Sequence, residues 1–159
     1  MITPVTTPET IAAVEKLART IWEEHYTPII GAAQVAYMLE KYQSAAAIEK
    51  QIRDEGYRYY LLNEVGYFSI QRREDRLFLS KLYLLKKYRG KGLGRKADDF
   101  ICKEARQMGL ESVELTVNKH NTGAIGAYEQ MGFERCEAIV AEIGGGFVMD
   151  DYVMRKRLR

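Results

Sequence analysis

The chain has 159 residues, 47% of them apolar and 29% charged, a balance that supports a buried core and excludes a disordered polymer. Its 24 Lys and Arg against 22 Asp and Glu leave a net charge of +2, which argues against a broad basic face for nucleic acid. No apolar run approaches the roughly 18 residues of a membrane span, and "MITPVTTPET" lacks the basic and apolar regions of a leader, so one cytoplasmic domain over 1–159 is expected.

Residues 2 to 5 suit a short strand. Thr7, Pro8 and Glu9 then form a helix start: an N-cap, a proline in the first turn and an acid beside the positive end of the dipole. Ile11, Val14, Ala18 and Ile21 keep one face apolar to about His25. Pro28 and Gly31 break that pattern, and helices resume over about 32–42 and 45–55. "YRYYLL" (57–62) and "VGYFSIQ" (65–71) read as strands joined by a turn at 63–64. "RLFLSKLYLL" (76–85) has apolar residues on both faces, as a mid-sheet strand requires.

From Gly92 the period changes. Leu93, Ala97, Ile101, Ala105 and Met108 line one face of a helix that Gly109 stops. "SVELTV" (112–117) is a strand, Asn121 opens a short helix to about Met131, and "FERCEAIVAEI" and "FVMDDYVMRK" read as an antiparallel pair joined at 144–146. The order predicts one α/β domain with a mixed sheet. Cys102 and Cys136 fall in these elements without metal-ligand spacing and are expected to be reduced core thiols.

The stretch "KKYRGKGLGRK" sets Gly90, Gly92 and Gly94 among six basic residues, between a strand and a helix. Glycine lets a ligand approach the backbone, and Lys and Arg attract phosphate. The P-loop pattern fails, because Lys91 is followed by Gly92 and not by Ser or Thr. The dinucleotide pattern G-x-G-x-x-G/A fits Gly92, Gly94 and Ala97, but it belongs to the first strand–helix turn of its domain and here lies past mid-chain. A third pattern is R-x-x-G-x-G, Arg89 to Gly94.

That third pattern resembles the pyrophosphate loop of the GNAT superfamily, the acetyl-CoA-dependent N-acetyltransferases. "NTGAIGAYEQMGF" resembles the family's later segment, in which Asn is followed seven residues on by Tyr and then by Gly-Phe. Together the two cover 76–135. The resemblance implies an α/β (α+β) fold with a mixed, mostly antiparallel sheet of about six or seven strands and about four helices. It implies acetyl-CoA as cosubstrate, with no metal, and direct attack of an amine on the thioester. By position, Leu82, Tyr83 and Leu84 would meet pantetheine on a splayed strand. Arg89, Gly90, Lys91, Gly92, Leu93, Gly94 and Arg95 would hold the pyrophosphate, and Asn121 would cap a helix or contact pantetheine. Lys86 stands where relatives often have proline, which leaves the strand's bulge open.

Tyr128 is the expected acid for the leaving thiolate; without the resemblance, a core tyrosine is the plainer reading. From model values the full transfer is uphill by about 2 kcal/mol, so hydrogen bonding to sulfur is easier than complete transfer. Some relatives carry Glu at the positions of Phe78, Ser80 or Thr116, none of which is acidic here. Glu24, His25, Glu114 and His120 are read first as surface residues, and no base is assigned. Trp22, Glu23, Glu24, Tyr26, Tyr42, Asp150 and Asp151 fall in the regions that face the acceptor in relatives. A loose similarity to bacterial spermine/spermidine acetyltransferases makes a polyamine the leading acceptor. Peptide N-termini, other small amines, and a CoA-binding module without catalysis stay open, as does a monomer or a homodimer; nucleic-acid and membrane partners are not expected.

Overall fold

Strands that are apolar on both faces need cover on both. In the computed structural model, which describes residues 1–158, the strands are β1 (Ile2–Pro4), β2 (Arg58–Leu62), β3 (Gly66–Arg73), β4 (Arg76–Leu84), β5 (Ser112–Asn118), β6 (Glu134–Gly144) and β7 (Phe147–Arg157). They form one sheet in the order β1-β2-β3-β4-β5-β7-β6. Every neighbouring pair is antiparallel except β4 and β5, which run parallel. The helices are α1 (Pro8–His25), α2 (Thr27–Ile30), α3 (Ala32–Tyr42), α4 (Ala45–Asp54), α5 (Leu93–Gln107) and α6 (Thr122–Gln130).

The period of two along each strand sorts the core into two layers. Tyr60, Leu62, Phe68, Ile70, Leu77, Leu79 and Leu115 pack with Ala97, Ile101 and Ala105 of α5 and Ile125 of α6. Tyr59, Leu61 and Tyr67 point the other way, against Val14, Ala18 and Ile21 of α1, Val35 and Met38 of α3 and Ile48 of α4. Each fully buried Leu, Ile or Phe here contributes about 1.5–3 kcal/mol of transfer free energy.

The expected element order holds, with six α-helices where about four were expected. The added turn, α2, fills the break left by Pro28 and Gly31: Pro28 sits in its first turn, where its missing N–H costs nothing, and Gly31 ends it at φ +88°. Cys102 is buried as expected, but Cys136 is exposed on β6, a strand exposed along most of its length, so only one of the two thiols belongs to the core.

One strand residue departs from the apolar pattern. The β3–β4 register pairs Ser69 with Lys81 and Ile70 with Leu79, leaving Ser80 as an unpaired bulge residue on β4. Beyond the bulge, Lys81 points under α3 and α4, where its ammonium donates to Tyr42 O (2.6 Å), Gln51 Oε1 (3.3 Å) and the Tyr59 hydroxyl. Burial pulls its pKa down to about 7.

Candidate active site

Parallel pairing of β4 with β5 runs from Arg76–Ser112 to Leu79–Leu115 and stops there. Past that point β4 stays with β3 to Leu84, while β5 stays with β7 to Asn118. The two strands diverge at the Ser80 bulge, and the wedge between them opens a cleft of about 490 Å³, within the usual range for a small-molecule site. Leu85 N–H bonds Val65 O at 2.9 Å, so its backbone faces β3. Alternation then turns the backbone groups of Leu84 and Leu82 into the wedge and those of Tyr83 toward β3. Tyr83 therefore lines the cleft with its ring, not with the backbone contact expected of it.

The glycine loop closes one end of the wedge. After β4 a single 3₁₀ turn, Lys86–Tyr88, leads into the loop. Gly90 (φ +74°) and Gly92 (φ +84°) take left-handed conformations that side chains resist. Gly92 is the N-cap of α5 and has no capping side chain. The first intrahelical bond runs from Lys96 N–H to Gly92 O, which leaves the N–H groups of Leu93, Gly94 and Arg95 without helical partners. These orphan donors, the positive end of the helix dipole and Arg95 suit a pyrophosphate. Gly90, Gly92, Gly94, Arg89 and Arg95 line the cleft; Lys91 and the Leu93 side chain do not.

Asn121 ties this end of the cleft to α1. It caps α6 by accepting from Ala124 N–H (3.4 Å), which fixes Oδ1 as the acceptor. His25 Nε2, 3.1 Å from the same oxygen, must then be the donor, and His25 Nδ1 accepts from Arg89 Nη1 at 3.4 Å. Asn121 Nδ2 donates to the Tyr26 hydroxyl at 3.0 Å, and Arg89 Nε donates to Leu84 O at 3.3 Å. Burial is the largest cause holding His25 below its ordinary pKa; the Asn121 hydrogen bond opposes it, while Arg89 and Lys86 assist it. A neutral His25 whose free lone pair is already engaged is a strut between α1 and the loop, not a base. The surface reading of His25 is overturned, because α1 ends against the cleft.

Tyr128 sits two turns into α6 on the opposite wall, its ring packed edge-on against Phe133 at 5.6 Å between centroids. It lines the cleft, and its hydroxyl has no hydrogen-bond partner among the described residues. Burial raises its pKa well above the ordinary phenol range. That direction makes complete proton transfer to a thiolate still more uphill and favours donation of a hydrogen bond.

The other end of the cleft lies across the sheet. Trp22 and Tyr26 stack there at 4.3 Å, with Tyr83 edge-on to both, and Ile30, Met38 and Met149 complete an apolar wall. Of the acids expected near the acceptor, Asp151 alone lines the cleft among the described residues. Glu23 and Glu24 are exposed on α1, Tyr42 lies outside the cleft, and Asp150 is paired with Lys119 at 2.7 Å. Glu114 is buried between Arg76 (3.2 Å) and Arg155 (2.6 Å), which overturns its surface reading and occupies both its oxygens. His120 is exposed, as expected. No cluster of three metal-ligating side chains occurs among the described residues, and no helix of theirs is long and apolar enough to cross a membrane.

A divergent parallel pair with a glycine loop at its mouth defines the acetyl-CoA-type acyltransferase architecture. The acetyltransferase (GNAT) family model matches residues 14–133, and the chain belongs to that family. It is 32% identical over 69 residues to the uncharacterized N-acetyltransferase YycN of Bacillus subtilis, a match covering 43% of this chain and 44% of that one. It is 37% identical over 59 residues to the uncharacterized N-acetyltransferase YjgM of Escherichia coli, covering 37% and 35%. The matched segments thus span less than half of either relative. Among solved structures, PaiA N-acetyltransferase of Thermoplasma acidophilum in complex with coenzyme A superposes with a TM-score of 0.78 over 99% of both chains at 18% identity. The ribosomal-protein-S18-alanine N-acetyltransferase of Escherichia coli gives 0.71 at 18% identity over 99% of this chain and 93% of the other. At such identities the likeness shows the fold alone.

Proposed function

We propose that this chain transfers the acetyl group of acetyl-CoA to the primary amine of a small cationic molecule, polyamines among them, in a ternary complex. The carrying observation is the wedge itself. Backbone donors at Leu82 and Leu84, free of a strand partner, lead directly to the orphan N–H groups of α5. A thioester and its pyrophosphate are a chain of acceptors, and this is a matching chain of fixed donors. Arg89 and Arg95 add positive charge beside it, with Lys91 contributing from solvent.

Within that site the roles divide by position. The backbone N–H groups of Leu82 and Leu84 face the place where negative charge would grow on the carbonyl oxygen. The glycines at 90, 92 and 94 with Leu93 N–H hold the phosphates, and Asn121 fixes the α6 N-terminus and the His25 strut. The Tyr128 hydroxyl, unengaged by protein, hydrogen-bonds the departing sulfur.

Acetyl-CoA should raise the thermal midpoint of the wild type, since a ligand selective for the folded state stabilises it by mass action. Gly92→Asp places a carboxylate among the phosphate donors and a side chain at φ +84°, and it should abolish the shift. Arg95→Ala leaves the backbone undisturbed and should reduce the shift without removing it. Equal shifts in the wild type and in folded Gly92→Asp would defeat the reading.

A further inference from the structure

A buried carboxylate without a partner is costly, and proteins seldom keep one without use. Asp151 of β7 is 2% exposed, and its Oδ1 has no hydrogen-bond partner among the described residues. Lys119 could have neutralised it but is held by Asp150, both through its ammonium and through Lys119 N–H to Asp150 O at 3.1 Å. In the sheet Asp151 stands between Asn118 of β5 and Ile139 of β6, neither of which carries charge. The cleft it lines also carries the apolar bodies of Trp22, Tyr26, Met38 and Met149, with Gln34 and Asn118 as neutral polar neighbours. Aromatic faces and a carboxylate together receive a cation borne on an apolar body.

We propose that Asp151 is the acceptor-amine site: its carboxylate holds the substrate's ammonium at the far end of the cleft and takes the proton that nitrogen must lose before attack. This rests on the acetyl-transfer reading above and narrows it. One carboxylate receives one ammonium. The favoured acceptor is therefore a primary amine with a single charge at the reacting end and an alkyl or aryl body against Trp22 and Met38. The further ammonium groups of a polyamine meet no second acid inside the cleft.

The steps balance. One ammonium proton passes to Asp151, which frees the nitrogen lone pair. Nitrogen bonds the thioester carbonyl carbon and the C–S bond breaks. The second proton lost from nitrogen neutralises the thiolate by way of the Tyr128 hydroxyl, and Asp151 returns its proton to water. An ammonium and a thioester thus give an amide, a thiol and one proton. Burial, with a smaller push from Asp150 and an opposing pull from Lys119, raises Asp151 to about 6. The Tyr26 hydroxyl is the other titratable group facing it, and stays protonated, held up near 12 chiefly by burial. Transfer from a lysine-like ammonium remains uphill by about 10⁴, less whatever the apolar wall takes from the ammonium's own pKa.

The test compares wild type with the isosteric Asp151→Asn, using hexylamine, phenethylamine and spermidine at saturating acetyl-CoA between pH 5.5 and 9.5. Calorimetric titration of each amine into the CoA-loaded protein runs alongside. In the wild type kcat/KM for the two monoamines should rise through pH 6 and then level. In Asp151→Asn it should fall about 10²-fold at pH 7 and climb tenfold per pH unit toward the amine's own pKa, since only amine already neutral in solution can react. Monoamine binding to the CoA-loaded protein should weaken at least tenfold, while acetyl-CoA affinity holds. Wild-type rates and an unchanged profile in Asp151→Asn would overturn the assignment. So would a wild type that binds acetyl-CoA yet neither binds nor acetylates the monoamines. Turnover of a peptide N-terminus unaffected by Asp151→Asn would leave acetyl transfer standing and remove Asp151 from it. If the wild type binds no acetyl-CoA, acetyl transfer itself fails, and the amine titration into the free protein still reads Asp151: equal heats in both proteins overturn its role.

Discussion

The two ends of the cleft are built from different material. The loop end is backbone: unpaired strand groups at Leu82 and Leu84, then the first N–H groups of α5, contiguous in sequence from 82 to 95. The far end is side chains brought together from α1, α3 and β7, well over a hundred residues apart at the extremes, from Trp22 to Asp151. A backbone site constrains side chains only where one would intrude, so it leaves a short, rigid spacing of glycines. A side-chain site has freedom in which residue supplies the chemistry, and leaves no spacing at all. The loop end is thus the general part of the molecule and the far end the particular one.

Perturbing the loop end should give the largest effect, loss of the acetyl-CoA thermal shift in Gly92→Asp. Next is the residue between the ends. Tyr128→Phe removes only a hydroxyl that no described residue engages, so acetyl-CoA affinity should hold while kcat falls by roughly 10²-fold. Stopped-flow release of CoA thiol separates the two quantities; unchanged turnover would return Tyr128 to its packing role beside Phe133.

Far-end chemistry should also carry a stability signature. Asp151 is raised in the fold, so between its unfolded value of 3.8 and about 6 the native state binds the extra proton, and stability falls as pH rises through that window. Above it the penalty is complete. Asp151→Asn should therefore be more stable than wild type at pH 8 by about 1–2 kcal/mol, and equal to it near pH 3.5. Urea melts at the two pH values decide the point; a variant less stable at pH 8 would mean that Asp151 has a partner in the protein.

Lys81, which belongs to neither end, gives a slope of opposite sign. Its folded pKa is lowered to about 7, so from pH 7 upward the unfolded chain binds more protons and stability rises with pH. Gln51, Tyr42 O and Tyr59 face it, and Glu55 supplies the one opposing charge. Relative to Lys81→Met, wild type should gain up to about 1.4 kcal/mol per pH unit between pH 7.5 and 9.5, the limit for one proton. Parallel curves would show that Lys81 keeps its proton in the fold.

The sequence carries the fold almost completely, because periodicity and punctuation are local. Thr7, Gly92, Gly109 and Asn121 mark helix ends where the helices begin and stop, and the two-faced apolar run of 76–85 is the central strand. The loop end is legible for the same reason. What escapes is whatever depends on register. The Ser80 bulge has no signature in "LSKLY", yet it turns Lys81 into the core and opens the wedge. His25 reads as the last residue of a surface helix until Asn121 and Arg89 meet it. Asp150 and Asp151 are adjacent acids in the sequence, and the Lys119 pair, burial and the cleft separate them: Asp150 is paired with Lys119, while Asp151 is buried and lines the cleft.

The division of the cleft can be read in one experiment, amide hydrogen exchange with acetyl-CoA alone. Ligand bound as proposed should slow exchange at Leu82, Leu84 and residues 90–95, whose N–H groups it engages, and leave Met149–Tyr152 and α3 near their free rates. Protection centred on Met149–Tyr152 and α3, with the glycine loop unchanged, would contradict the account.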